Sequence, residues 1–392
     1  MKNKYSLTSD TWDEQELQSI KEVIATNRYT MGNEVECFEN LFAKHFKSKY
    51  AIMVNSGSSA NLLAIASLFF RNDNFLVKGD EVIVPAVSWS TTYYPLQQYG
   101  LKLKFVDIDL NTLNFDLLSL EEAISPKTKL IVAVNVLGNP NDYLHINNLI
   151  KEKNIILFED NCESLGAKLN NRFTGTFGLI GTYSFFYSHH ISTMEGGMIT
   201  TDNEELYHIL LSIRAHGWTR NLPKKNKITG TKSDFSFEES FKFVLPGYNL
   251  RPLEFSGKIG QIQLRKLNNF IKERRENAKY FLSKAARNPL ITTQKEIGES
   301  SWFGFSIIID PDLQISRNKL INELEKAGIE TRPIIGGNFT NNEVIKYFDY
   351  SIHNNLNNAN IVDQFGFFVG NHHFKIRDNI DYLFKILDRT LK

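Results

Sequence analysis

Between two apolar runs the sequence reads Ser184-Phe-Phe-Tyr-Ser-His-His-Ile-Ser-Thr-Met-Glu-Gly-Gly197, which sets hydroxyls, two adjacent imidazoles and a glycine pair in one loop. Imidazole is the side chain whose unperturbed pKa, ~6.5, lets it act as base and then as acid near neutrality. His189 is therefore a candidate proton carrier, while a surface position, a satisfied core position or a metal site is each an alternative for a histidine taken alone. Metal is disfavoured, because adjacent residues rarely aim both rings at one ion and no acidic or cysteine cluster accompanies them. Other residues could serve the same chemistry. Asn55-Ser-Gly-Ser-Ser-Ala-Asn61 lies between the strand-like AIMV and a helical run, so the amides around Gly57 and Ser58 point outward at a helix N-terminus, a geometry that suits phosphate or an ordinary cap. Asp160 ends the apolar run IILFED, where a carboxylate can face a ligand or close an Asx-turn. Trp89 in PAVSWSTTYYP could stack on a flat ring or sit in a core, and Ser184 and Ser188 could donate hydroxyl hydrogen bonds or bind only water.

These residues need a frame that brings them together. Short apolar runs at 81–85, 103–107, 130–135, 155–160 and 182–186 alternate with helix-length segments, which predicts a mostly parallel sheet in an α/β domain with its ligands beyond the carboxyl ends of the strands. A first helix is expected with Thr11 as cap, Glu14 as its partner, and Leu17, Ile20 and Ile24 on one face. Residues 219–240 are polar and lysine-rich and read as a long loop. From about Leu250 the spacing of Ile259, Ile262, Leu264, Leu267 and Ile271 predicts a long amphipathic helix leading into a smaller domain of mixed strands and helices. The chain divides on this reading into a large domain, 1–250, and a linking helix with a small α+β domain, 251–392.

Bulk properties narrow the function. A chain of 392 residues, 42% hydrophobic, can bury a large core, and a formal net charge of +1 with interspersed signs offers no basic stripe for nucleic acid. The N-terminus lacks the apolar stretch of a secretory signal and no apolar run is long enough to cross a bilayer, so a cytoplasmic protein with no membrane partner is expected. Cys37 and Cys162 are the two cysteines, too few for a disulfide framework or for the four thiolates of an all-cysteine iron-sulfur cluster.

In this order along the chain, the motifs resemble the nucleotide-sugar aminotransferases, a family of fold-type I pyridoxal-phosphate enzymes, over nearly the whole length. The resemblance implies an aspartate-aminotransferase-like fold, a phosphate-binding turn carried by Gly57 and Ser58 in SGSSAN, and Asp160 in FEDNCESLGA as the partner of the cofactor's pyridine nitrogen. Trp89, Glu163 and Ser184 complete the implied cofactor contacts. In GYNLRPLEFSGKIGQIQL, Asn249 corresponds to an asparagine that reaches the neighbouring subunit's cofactor phosphate, which implies a homodimer with shared active sites. His216 in RAHGWTR and Glu330 with Arg332 in IETRP are candidate contacts for sugar or diphosphate, since a guanidinium matches phosphate geometry, with solvated charge as the alternative.

One position departs from that pattern. Where the aminotransferases carry Ser-Phe, three residues, the Schiff-base lysine and a run ending Glu-Gly-Gly, this chain has His189, and no lysine occurs between Asn170 and Pro223. The cofactor, pyridoxal 5'-phosphate or its pyridoxamine form, is thus expected without a covalent lysine link. SHHISTMEGG and GFFVGNHHF resemble the sugar 3-dehydratase branch of the family. That resemblance implies loss of the 3-hydroxyl from a GDP-linked 4-keto-6-deoxy sugar, with L-glutamate as co-substrate and His189 as the base, in dideoxysugar (colitose-type, O-antigen) biosynthesis. A related branch reduces the dehydrated product through an iron-sulfur cluster that these two cysteines could not ligate. An aminotransferase or 3-dehydratase acting on another nucleotide sugar, and a cofactor-binding pseudoenzyme, are the other readings.

Overall fold

A computed structural model describes residues 5–73, 76–313 and 315–391. Its large sheet has the strand order Tyr50–Val54, Gly197–Thr201, Ile180–Ser184, Ile156–Asp160, Thr128–Val134, Glu81–Pro85, Lys102–Val106, Tyr350–Ile352. All neighbours run parallel except Gly197–Thr201, which is antiparallel to both strands beside it. Successive side chains on a strand point to opposite faces, and both faces are covered. Ile52, Val54, Val82, Val84, Phe158 and Ile180 pack on the helix Gly57–Leu68 side, whereas Ile83, Ile131, Ala133 and Leu157 pack against Tyr143, Ile146 and Ile150. Burial on both sides explains why these strands read as continuous apolar runs and not as alternating ones.

The linking helix runs Glu254–Ala285. Its first residue caps another helix: the Glu254 carboxylate accepts the backbone N–H groups of Gly32 (2.6 Å), Glu34 (2.9 Å) and Val35 (3.1 Å) at the start of Asn33–Phe46. A negative group there offsets the free amides and the positive end of the helix dipole. Its far half supplies Ala278, Phe281 and Ala285 to a second core, built with the antiparallel strands Gly304–Ile309 and Gly366–Gly370 and the helices Arg317–Lys326 and Arg377–Leu391. The strand Tyr350–Ile352 then returns to edge the large sheet. Among the described residues no helix is long and apolar enough to cross a membrane.

Two local expectations differ. The first helix, Glu14–Ala25, is capped by Asp13, not Thr11, and Asp13 forms a reciprocal box with Glu16. Both pairs fit the same template, but the Thr11 hydroxyl is taken by Gln263 at 2.7 Å on the linking helix. The buried face of this helix is Glu16, Ser19 and Val23, with Glu16 held by Lys266 and Gln263, so Leu17 and Ile24 lie exposed. Residues 219–240 hold a two-residue strand pair, Lys225–Asn226 with Gly230–Thr231, and a short helix, Ser236–Ser240, within the expected loop.

Candidate active site

At the carboxyl ends of the central strands lies a pocket of about 730 Å³. Asp160 is the last residue of its strand, and one of its carboxylate oxygens accepts from Asn61 Nδ2 (2.9 Å) and Thr92 Oγ1 (2.8 Å) while the other accepts from the Cys162 N–H (3.1 Å). Both side-chain donors are themselves oriented: Thr182 Oγ1 donates to Asn61 Oδ1 at 2.6 Å and Ser88 Oγ to Thr92 Oγ1 at 2.9 Å. Donors aimed at both oxygens fix the direction of the carboxylate. Asn61 and Thr92 were not anticipated as site residues. Asn61 stands inside the quoted SGSSAN turn, but nothing in either residue's local sequence tells that it points at Asp160.

Opposite, Ser56 caps the helix Gly57–Leu68 by accepting from the Ser59 N–H, which leaves the first-turn amides facing the pocket. Gly57 is required here for closeness, since a Cβ at this position would lie 2.5 Å from Ser184 Cβ. Gly57→Ala should therefore loosen cofactor binding and lower thermal stability by roughly 1–3 kcal/mol, the usual cost of overpacking, measured as a weaker pyridoxal-phosphate Kd and a lower melting temperature. The same pocket is lined by Ser58, Trp89, Glu163, Ser184, Ser188, His189 and Arg332, with Phe186 and Phe303 as apolar walls. The Trp89 indole is 59% exposed and free to lie on a flat ring.

Glu163 accepts the Leu137 N–H at 2.9 Å. Burial pushes its carboxyl up to about 7, and the charge of Asp160 adds to that rise against the opposing Leu137 bond. It can hold or release a proton near neutrality. Leu137 sits at φ 51, a left-handed conformation costing a non-glycine residue about 1–3 kcal/mol, and the Glu163 bond together with Phe303 N–H to Leu137 O (3.0 Å) holds it there.

His189 packs edge-on against Phe303, ring centroids 5.2 Å apart, with Ser188 Oγ 3.4 Å from its Nδ1. Its pKa is held down to about 4, first by burial and then by the Arg274 guanidinium, and not near the ordinary value expected from sequence. The imidazole is neutral through the physiological range. Among the described residues no lysine lines the pocket.

Three of the anticipated residues are not among those lining it. Asn249 is exposed and accepts from Arg251 Nε at 2.9 Å, outside this chain's own pocket. His216 has φ 61, bonds through its backbone to Tyr248 O and packs on Trp218. Glu330 accepts the Leu7 N–H at 2.8 Å and so fastens the N-terminal segment to the small core.

The pocket suits pyridoxal phosphate on its own geometry. It has a fixed carboxylate for the ring nitrogen, a glycine cradle with free amides and the Ser58 and Ser184 hydroxyls for the phosphate, and an exposed indole for the ring face. Sheet order, linking helix and this acid at the strand end together define an aspartate-aminotransferase-like, fold-type I pyridoxal-phosphate protein. The chain belongs to the DegT/DnrJ/EryC1/StrS aminotransferase family, whose model matches residues 10–364. A GDP-4-keto-6-deoxy-D-mannose 3-dehydratase of Escherichia coli O55:H7 is 62% identical over 384 residues, covering 98% of this chain and 99% of that one. The E. coli GDP-4-keto-6-deoxy-D-mannose-3-dehydratase with bound hydrated PLP superimposes with a TM-score of 0.97 at 61% identity, each chain covered fully (100% and 100%). A structure of GDP-4-keto-6-deoxymannose-3-dehydratase with a trapped PLP-glutamate geminal diamine also gives 0.97 at 61% identity, covering 99% of this chain and 100% of that one.

Proposed function

We infer that this chain is a pyridoxal-phosphate-dependent, glutamate-coupled 3-dehydratase that converts GDP-4-keto-6-deoxy-D-mannose to GDP-4-keto-3,6-dideoxymannose. The observation that carries the reading is His189, neutral and facing the pocket where the family's aminotransferases carry their lysine. Glutamate leaves as 2-oxoglutarate and its nitrogen as ammonia, so the two reducing equivalents that replace the C3–O bond by C3–H come from glutamate. When bound, the cofactor supplies the amine that engages the 4-keto group and a ring that accepts electrons. Asp160 would keep a proton on the ring nitrogen, the Gly57–Ser58 turn and Ser184 would hold the phosphate, and Trp89 would supply a flat apolar surface for the ring. Glu163 lies three residues beyond Asp160 and lines the same pocket. His189 accepts a carbon-bound proton and returns it to the departing 3-hydroxyl oxygen, which leaves as water. Arg332, exposed at the pocket edge, is suited to the diphosphate, and His216 and Glu330 remain candidates for the sugar nucleotide from outside the pocket wall.

The test is direct. Protein incubated with pyridoxal phosphate, glutamate and GDP-4-keto-6-deoxymannose should yield 2-oxoglutarate and a dideoxy sugar by mass spectrometry, and borohydride reduction should label no lysine stoichiometrically. A 4-amino sugar product or a labelled lysine would overturn the reading.

The enzyme works as a homodimer in the cytoplasm, a compartment that suits the unpaired thiols of Cys37 and Cys162. Leu17, Ile24, Tyr29 and Leu253 expose apolar surface that a second copy would cover, and exposed Asn249 is available to the partner's cofactor phosphate. Mixing Asn249→Ala subunits with His189→Asn subunits should restore activity through one intact site per heterodimer, read as turnover after demonstrated subunit exchange. Persistent inactivity would mean that Asn249 serves its own chain or none.

A further inference from the structure

Behind the wall of the pocket, the linking helix carries Arg274 into the join between the two cores, where it is 4% exposed. Its Nη1 donates to the carbonyl oxygens of Asn371 (2.8 Å), Phe303 (3.1 Å) and Trp302 (3.5 Å), while its Nε finds no acceptor. Among the described residues no ion pair includes it, although a buried charge is ordinarily matched by an opposite one. Its pKa, lowered to about 10 by burial, still leaves it charged at neutral pH.

Imidazoles crowd this cation. Phe303, whose carbonyl it holds, contacts the rings of His189 (centroids 5.2 Å apart) and His190 (5.7 Å). His190 Nε2 lies 3.1 Å from Ser301 O, two residues away on the same segment, and its Nδ1 has no partner. His372 follows Asn371 directly, with its two ring nitrogens 3.0 Å from Ser9 Oγ and 3.0 Å from Ser6 O. His373 lies on Phe270 at 4.7 Å. Two separate stretches of chain thus bring four imidazoles within electrostatic reach of one guanidinium.

We propose that Arg274 is a positioning residue for the reaction: a buried guanidinium without a counter-carboxylate that fastens the Phe303 wall behind His189 and, by its charge, holds that imidazole in its neutral, proton-accepting form. The inference rests on the reading of His189 as the base. On the pocket side His189 shares its surroundings with Asp160, Glu163 and Glu195, which favour imidazolium, and with Arg332, which opposes it. A bound phosphate would add further negative charge, so a cation behind the ring adds to burial in resisting premature protonation. The Arg274 charge lowers the pKa of all four imidazoles, after burial, which is the larger cause for each. It also has a chemical use. An imidazolium formed beside a cation is a stronger acid than an ordinary one, so the proton that His189 takes up is readily passed to the departing hydroxyl.

The acidic limb of kcat/KM against pH reads the free enzyme's base, and in the parent it should fall below pH 5. Arg274→Gln should raise that limb by about one pH unit or more, whereas Arg274→Lys, which keeps the charge, should leave it within about 0.3 unit. A purely structural role would lower activity at every pH in both variants without moving the limb, and that result overturns the proposal. A second readout needs neither turnover nor an Arg274 variant: NMR titration of carbon-13-labelled histidine in the parent protein, with His189 assigned through His189→Asn. A midpoint at or above ~6.5 overturns the proposal. If the parent makes no dideoxy sugar, the functional reading fails while the titration still judges the electrostatics.

Discussion

Replacing His189 by asparagine should lower 3-dehydration by ~10² to 10⁴, the range typical of losing one positioned acid–base group. Asparagine is nearly as large as the imidazole's near half and can still fill the space beside Phe303 and Ser188. The proposed cofactor contacts at Gly57, Asp160 and Ser184 are on other elements and remain in place. The variant should therefore bind pyridoxal phosphate with nearly the parental Kd while losing kcat, and that split distinguishes a lost base from a collapsed pocket. Parental turnover in this variant would remove His189 from the reaction altogether.

Asp160→Asn should be the other severe change. Asn61, Thr92 and the Cys162 N–H all donate to the native carboxylate, so an amide placed there turns its NH₂ toward at least one donor and leaves a buried polar group unpaired. More importantly, it removes the negative charge that, on the proposed function, would keep a proton on the ring nitrogen. A loss on the order of 10² to 10³ in kcat is expected, as for removal of one preorganised electrostatic group. The bound cofactor's absorbance should shift with the ring's protonation state. An unaltered spectrum together with parental kcat would mean that Asp160 only shapes the pocket.

How much of this was readable beforehand varied with the distance over which each feature is encoded. The Gly57-Ser58 turn, the acid at the end of IILFED and His189 between Ser184-Phe185 and Glu195-Gly-Gly197 are contiguous signals, and the structure brings them to one pocket. The mostly parallel sheet was legible because strands buried on both faces leave unbroken apolar runs. The helix cap was misplaced because Thr11 and Asp13 carry equal local credentials, and only Gln263, far along the chain, separates them. The exposed apolar face of that helix was likewise invisible as exposed, since Glu16 is buried only by virtue of Lys266 and Gln263.

The amino-acid sequence by itself determined which candidate groups line the pocket and the order in which the chain presents them, because helix ends, buried strands and the turn residues between them are set by interactions among near neighbours. Only the tertiary structure decided how those groups behave. Asn61 and Thr92 point at Asp160 from two helices, Glu163 holds a strained Leu137, and Arg274 meets the Phe303 wall across the join of two cores. Burial and long-range charge act through space and not along the chain, so the neutral state of the His189 imidazole exists only once the fold has closed around it.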